Sequence, residues 1–214
     1  MIIIKKISFE FVFKLLVLIA SGIGLYMNYK ILYLNNMFLY FTILSNMCVF
    51  IFYLISFILY FANKLKDNKL YYIIKGMITV DITLTMAVYN VVLTSGTLYQ
   101  EHVFAGMFVH LITPTLVILD YIMFGKKGHL KYSYPIYWSI SLIIYTLVCW
   151  LYGFYGGVFA DGNSYPYFYM NFNEFGLLGV IKNCMIVYMI YLIYSYIIVW
   201  LDNLCAKESK LWRI

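Results

Sequence analysis

The chain has 214 residues, of which 64% are hydrophobic, 21% aromatic and only 11% charged. This is too much apolar surface for a disordered chain and too few charges for a water-soluble domain, in which about 25% of residues are charged. The net charge of +6 does not indicate a nucleic-acid-binding protein, because the basic residues lie between apolar segments and form no basic patch with interleaved aromatic residues.

Six apolar segments follow one another along the chain, each long enough for a helix to cross about 30 Å of hydrocarbon. They span about 8–28, 37–62, 70–95, 103–124, 136–153 and 176–201. Continuous segments of this length disfavour an outer-membrane β-barrel, whose strands alternate over about ten residues. The sequence therefore predicts an all-α fold, in which residues 1–214 form one domain, a polytopic bundle of six transmembrane helices.

Polar residues mark the connections between these segments. Asn35-Asn36 and Ser95-Gly96 predict turns, and lysine-containing stretches at 63–69 and 125–129 predict two further connections. The longest connection, 154–175, mixes Gly and Asn with aromatic residues. Its composition suits a cap at the membrane interface and, equally, a plain aromatic belt.

The basic residues are unequally divided between the two ends of the predicted helices. All but Lys30 and Lys182 lie near the start of the first segment, around 63–75, within 126–131 or in the C-terminal tail. The positive-inside rule then predicts that both termini are cytoplasmic and that 154–175 lies outside. A cleaved signal peptide is the alternative interpretation of the first segment, and the charged Glu10 and Lys14 argue against it.

Neither the cysteines nor the other motifs of the sequence indicate a bound metal or cofactor. The chain contains Cys48, Cys149, Cys184 and Cys205, with no pair at CxxC spacing and three of the four inside apolar segments. This pattern indicates neither a disulfide framework nor a zinc site. The sequence also contains no Gly-rich phosphate loop and no carboxylate metal cluster. We therefore expect no metal and no organic cofactor.

Polar residues inside the apolar segments are the candidates for function. Thr42, Ser45 and Asn46 are spaced to share one helical face. Counted from the outer ends of their segments, Thr42, His110 and Asn90 lie at similar depths, about 7–11 Å below the outer surface, and Asn46 lies about a turn deeper. The sequence therefore predicts that a hydroxyl, an imidazole and two amides converge in the outer layer of the bundle.

Four short stretches resemble the androgen-induced membrane hydrolase family, which includes hydrolases of fatty acid esters of hydroxy fatty acids. Phe41-Thr42-Ile43-Leu44-Ser45-Asn46 resembles the start of one of its helices. Val109-His110-Leu111-Ile112-Thr113-Pro114, continuing to Asp120-Tyr121, resembles its His-centred helix, especially in a bacterial branch. Ala87-Val88-Tyr89-Asn90 resembles the third helix of that branch, and Tyr165-Pro166-Tyr167-Phe168 resembles the segment before the last helix.

The resemblance implies a catalytic pair, with Thr42 as nucleophile and His110 as its general base. A threonine hydroxyl becomes a useful nucleophile when a neighbour takes its proton, and a neutral imidazole can do this. Depth makes Asn46 and Asn90 the candidate oxyanion donors, and Ser45 is a further candidate for positioning the substrate. The structural alternatives remain open: Thr42 can bond to its own helix backbone, and His110 can form an interhelical hydrogen bond.

Two ionisable residues inside the predicted helices have alternative interpretations. Asp81 lies near the midplane of the third segment, where a carboxyl group needs a partner, and we expect a buried hydrogen-bond hub or part of a proton path. Lys182 lies near the outer end of the last segment. It either extends to the lipid headgroups or binds the carboxylate of a fatty-acid substrate.

Together these features predict an intramembrane lipid-ester hydrolase whose substrate is a membrane lipid or fatty-acid ester. A non-enzymatic transporter or receptor for a small or lipid ligand is the first alternative, and an acyltransferase that forms the same acyl-enzyme is a further alternative. A transporter of common design would contain paired interrupted helices in two related halves, and the sequence shows only the interruption at Pro114. The resemblance to the bacterial branch implies a bacterial plasma membrane.

Overall fold

The computed structural model describes residues 9–61, 69–90, 103–160 and 162–211. Within these ranges every regular element is a helix, and six helices are long and apolar enough to cross a membrane. They are α1 (Phe9–Met37), α2 (Phe41–Phe61), α3 (Lys69–Val88), α4 (Val103–Phe124), α5 (Tyr134–Phe154) and α6 (Phe172–Leu211). The predicted all-α architecture is confirmed, with six helices whose length and composition suit membrane-spanning segments.

The first predicted turn is wrong by a few residues. Helix α1 continues through Asn35-Asn36 to Met37, and the chain turns at 38–40, where the Leu39 N–H donates to the Asn36 carbonyl at 3.2 Å. Asparagine is tolerated in the last turn of a helix, and no Gly or Pro stands at these two positions to end α1 earlier. The turn predicted at Ser95-Gly96 and nearly all of the 63–69 connection lie outside the described residues.

Helix α3 lies at the centre of the bundle. It contacts α2, α4 and α6, and 67% of its most apolar stretch is buried, against 17% for α6. The polar side chains of Thr79, Asp81 and Thr85 are therefore inside the protein. This position allows α3 to connect polar groups of several other helices without exposing them to lipid.

Helix α4 contains a π-helical segment, Phe108–Ile112, between its α-helical parts Val103–Met107 and Thr113–Phe124. The Thr113 N–H donates to the Phe108 carbonyl, five residues earlier. Pro114 follows directly, has no N–H, and disfavours a regular α-helical turn before it. The sequence thus places His110 in a widened turn, a feature that is common at functional sites.

The connection between α5 and α6 folds over the end of the bundle. Phe159 and Met170 are buried against α5 and α6, and a short 3-10 helix, Phe168–Met170, precedes α6. Tyr40, just before α2, accepts a hydrogen bond from the Ala160 N–H at 3.1 Å. Of the two interpretations of 154–175, the structure therefore supports a cap that packs on the helices.

Candidate functional site

An apolar cavity of about 300 Å³ lies beneath this cap, bordered by α2, α3, α5 and α6. Most of its wall is aliphatic or aromatic, and its polar groups are uncharged hydroxyls, a thiol and an indole. These polar wall residues are Thr42, Thr85, Tyr145, Thr146, Trp150, Tyr167, Tyr169, Cys184 and Tyr188. The cavity has the composition of a site for a largely hydrocarbon ligand with a small polar group.

Thr42 is the second residue of α2 and lies on the cavity wall, with its residue surface 7% exposed. Its carbonyl accepts hydrogen bonds from the Ser45 hydroxyl at 3.0 Å and from the Asn46 amide at 2.8 Å. These bonds fix the first turn of α2. The structure therefore places the predicted nucleophile at a surface that a ligand in the cavity can contact.

Tyr167 lies in the cap and contacts the first residue of α2. Its hydroxyl oxygen accepts a hydrogen bond from the Phe41 N–H at 3.1 Å, and its ring stacks on Tyr169. Burial raises the pKa of Tyr167, and interactions with Tyr145 and Thr42 partly oppose the rise. Tyr167 was not among the site residues predicted from the sequence, and its position in the Tyr165-Pro166-Tyr167 stretch was the available signal.

His110 is completely buried in the π-helical segment of α4. Its ring stacks on Tyr89 with centroids 4.1 Å apart, and it hydrogen bonds to the backbone carbonyl of Thr85 on α3. His110 is not among the residues that line the cavity, whereas Thr85 is. The imidazole therefore lies behind the cavity wall.

Asn46 forms hydrogen bonds to the backbone on both sides, at Thr42 itself and at Val109, the residue before His110. Its amide nitrogen donates to the Thr42 carbonyl at 2.8 Å and to the Val109 carbonyl on α4 at 3.0 Å. Helices α2 and α4 are thus joined beside Thr42 and beside His110. Both amide N–H groups are used in these bonds, so donation to an oxyanion requires one of them to break. Its buried Oδ1 atom has no hydrogen-bond partner in the described part of the chain.

The other two candidate positioning residues differ in location. Ser45 is buried, and its hydroxyl oxygen lies 2.8 Å from that of Thr85, which links α2 to α3 beside the cavity. Asn90 is exposed and donates to the carbonyl of Met86 in its own helix at 2.7 Å. The structure thus brings Ser45 to Thr42, while Asn90 stands apart from the buried group.

Asp81 and Lys182 have contrasting environments. Asp81 is buried and accepts a 2.8 Å hydrogen bond from the Tyr191 hydroxyl, which links α3 to α6. Lys182 is exposed on α6 and does not line the cavity, although its neighbour Ile181 does. An ammonium group is therefore not part of the cavity wall.

Metal ligands are not clustered in the part of the chain that the structure describes. No group of three or more His, Cys, Asp or Glu side chains there is arranged to hold a metal ion. Cys48, Cys149, Cys184 and Cys205 are free thiols.

No family model, curated protein or solved structure matches this chain. The geometry of the cavity and the short motif resemblances are the basis for assigning a function.

Proposed function

We propose that this protein is an intramembrane hydrolase of lipid esters, with Thr42 as the nucleophile and His110 as the general base. One observation carries the proposal: Thr42 lies on the wall of an apolar cavity, and Asn46 joins its helix to the helix of the buried His110. A hydroxyl in such a wall suits a substrate that is mostly hydrocarbon with an ester as its reacting group. The resemblance of both segments to the androgen-induced membrane hydrolase family supports the same roles.

The reaction proceeds through an acyl-threonine. Thr42 Oγ1 attacks the ester carbonyl carbon while its proton passes to His110. The tetrahedral intermediate collapses, the bond to the alcohol oxygen breaks, and His110 gives the proton to the departing alcohol. Water then attacks the acyl-threonine and gives a proton to His110, which returns it to Thr42 as the carboxylic acid is released.

The hydrogen bond to Thr85 determines how His110 serves as the base. A backbone carbonyl only accepts, so the ring nitrogen bonded to it carries the proton, and the other nitrogen of the neutral imidazole has the lone pair that a base needs. Because His110 lies behind the cavity wall, the proton from Thr42 crosses through one water. The buried Oδ1 of Asn46 is an acceptor for that water.

Tyr167 is the best-placed donor for the oxyanion of the intermediate. Its phenol lines the cavity, interacts with Thr42 and accepts from the Phe41 N–H, so its own O–H remains a donor. The first turn of α2 adds the positive end of a 21-residue helix to the same place. A preorganised phenol and helix end would stabilise negative charge in a site without bulk water.

The lysine asymmetry supports an orientation for this site. With both termini in the cytoplasm, Thr42 and the cap face the outer leaflet, and the protein lies in a bacterial plasma membrane. The substrate then comes from the outer leaflet.

Covalent labelling tests the nucleophile directly. Purified protein in detergent is treated with a fluorophosphonate that carries a long alkyl chain, and the modified peptide is identified by mass spectrometry. We expect modification of Thr42, its loss in Thr42→Ala, and strong weakening in His110→Ala. Labelling elsewhere, with unchanged ester turnover in Thr42→Ala, contradicts the proposal. Product analysis with and without added alcohol separates hydrolysis from acyl transfer.

A non-enzymatic receptor or transporter is the second candidate, favoured by the position of His110 behind the cavity wall. In that case the hydroxyls around the cavity bind a small or lipid ligand without chemistry. Saturable ligand binding together with absent turnover and absent labelling of Thr42 would favour this function.

A further inference from the structure

The cavity reaches the lipid-facing surface of the bundle between α5 and α6. Ile143 and Leu147 on α5 line the cavity and are 43% and 49% exposed. Ile181 and Met185 on α6 also line it and are 39% and 52% exposed. The members of each pair lie one helical turn apart, so the four side chains form the two sides of an opening.

Contacts between α5 and α6 limit this opening at both ends. On one side, the hydroxyls of Ser139 and Tyr188 lie 3.2 Å apart and join the helices. On the other side, Cys149 of α5 packs with Val180 of α6 and Met170 of the cap in one buried cluster. The opening therefore has the length of a few helical turns and faces the hydrocarbon region of a bilayer.

The cavity wall contains no charged side chain among the described residues. An ionised carboxylate would lose its hydration there without gaining a cationic partner, since the ammonium of Lys182 is exposed on α6 and off the wall. Trp150 contributes an indole N–H that is buried and has no hydrogen-bond partner within the described ranges. An indole N–H only donates, so it matches a carbonyl or ether oxygen.

We infer that the cavity receives, through the opening between α5 and α6, the acyl chain of an uncharged ester from the bilayer. The inference rests on the proposed function for its choice of an ester and goes beyond it by excluding substrates with a free carboxylate in the cavity. The cavity volume of about 300 Å³ is at the lower end of the volumes of ligand-binding pockets, so a single acyl chain fills the cavity. The carboxylic acid product then leaves because its ionised form is poorly accommodated.

Fluorescence quenching tests the ligand class without turnover. The full-length Thr42→Ala protein in detergent is titrated with bromine-labelled stearic acid methyl ester, which quenches tryptophan that it contacts. We expect saturable quenching by the ester, competition by the unlabelled methyl ester, and about tenfold weaker binding of the bromine-labelled acid at a pH where it is ionised. Adding Trp150→Phe should remove the saturable part.

Variants at the opening test the path of access. Leu147→Phe and, separately, Met185→Phe narrow the opening. We expect each variant to lower either the affinity for the methyl ester or its association rate by about fivefold. Ile144→Phe is the matched control, since Ile144 is exposed on α5 but does not line the cavity. Equal affinity for ester and ionised acid overturns the ligand class, and binding unaffected by both narrowing variants overturns the path. Saturable ester binding with no turnover in the unmodified protein would support the inference while removing the hydrolase proposal.

Discussion

Lys75 of α3 and Asp120 of α4 form an ion pair inside the bundle, with Nζ 2.5 Å from Oδ2. Both side chains are almost completely buried. Tyr53 donates to the same carboxylate at 2.7 Å, and Lys14 lies 3.4 Å from its other oxygen. Because a buried charge is costly without a partner, Asp120 holds together four helices, α1 to α4, at the end of the bundle away from the cavity.

Asp120→Asn should strongly destabilise the protein, because it leaves the buried Lys75 without its counter-charge and leaves Lys14 paired with Glu10 alone. Breaking a buried ion pair costs about 3–5 kcal/mol, which corresponds to a fall of about 10 °C in the thermal midpoint of a chain this long. Thermal unfolding in detergent, followed by tryptophan fluorescence, measures the change.

Charge balance distinguishes this effect from lost packing. Lys75→Met combined with Asp120→Asn should be less destabilised than Asp120→Asn alone, since the buried ammonium group left without a counter-charge is gone, while Lys14 keeps its ion pair with Glu10. Lys182→Met removes an exposed lysine and should not change the midpoint. A midpoint of Asp120→Asn equal to that of the unmodified protein would show that the pair contributes nothing.

A second buried carboxylate holds the connection between α4 and α5. Asp202 of α6 accepts from the backbone N–H groups of Gly128, His129 and Leu130 at 2.8, 2.9 and 3.0 Å. Hydrogen bonds to a charged group are worth about 1.5–3 kcal/mol each. Asp202→Ala should therefore release the connection, and trypsin should cleave at the lysines of 126–131 about tenfold faster.

Limited proteolysis of the detergent-solubilised protein measures this release. Glu174→Ala removes an exposed carboxylate from the same helix and serves as the control. If Asp202→Ala is cleaved at the rate of the control, the three hydrogen bonds do not hold the connection closed.

Asp81 and Tyr191 should behave as a structural pair. Tyr191→Phe removes the donor of the 2.8 Å bond to Asp81 and should lower stability by about 1 kcal/mol, a typical value for a buried hydrogen bond. Asp81→Asn keeps an oxygen that can accept from Tyr191, so the thermal midpoint should fall only slightly, and ester turnover should not change because the proposed reaction does not use Asp81. Tyr196→Phe, at an exposed tyrosine of α6, is the control. A loss of turnover in Asp81→Asn at unchanged stability would instead indicate a proton path.

The apolar segments of the sequence were sufficient to predict six helices long and apolar enough to span a membrane, because hydrocarbon thickness fixes the minimum length of such a segment. The helix ends were less predictable. Asn35-Asn36 looks like a turn, but an asparagine also fits the last turn of a helix, and α1 continues through both. The contacts of a residue decide such boundaries, and they are not contained in local composition.

The site was predicted in part. Helical spacing placed Thr42, Ser45 and Asn46 on one face, and all three are buried at the junctions of α2 with its neighbours. Depth alone placed Asn90 with them, but depth does not fix the direction around the helix axis, and Asn90 is exposed. Tyr167 comes from a connection far along the chain, so no periodicity could place it beside Thr42.

Charge pairing was the other feature that linear patterns missed. Lys14 and Lys75 resemble flanking lysines that set orientation, yet both are buried with Asp120. Without Lys14 and Lys75, the basic residues still lie on the predicted cytoplasmic side of the membrane, with the exception of Lys30 and Lys182. The orientation prediction therefore does not depend on the two buried lysines.

Cysteine labelling tests that orientation. In a background without the four native cysteines, a single cysteine at 125–131 should react with an impermeant thiol reagent only after the membrane is opened. A cysteine in the exposed part of 154–175 should react in intact cells. Labelling of 125–131 in intact cells would reverse the orientation and move Thr42 to the inner leaflet.

Substitution of the proposed catalytic pair gives the most direct functional prediction. Thr42→Ala should abolish ester turnover, because no hydroxyl remains to form the acyl-enzyme, while Thr42→Ser should retain part of it. His110→Ala should lose about 10²–10⁴-fold in rate, the usual contribution of a general base, and His110→Gln should not restore it. The measurement is hydrolysis of a fatty-acid ester in detergent or liposomes, with folding checked by thermal unfolding.

Thr146→Ala is the matched control for this series, because Thr146 also lines the cavity but donates its hydroxyl to the Leu142 carbonyl of its own helix at 2.9 Å. It should keep nearly full turnover, since the proposed reaction does not use it. The nucleophile is assigned by the difference between these two threonines in one cavity. Equal turnover in well-folded Thr42→Ala and Thr146→Ala proteins would remove Thr42 from the reaction and favour a cavity that binds its ligand without cleaving it.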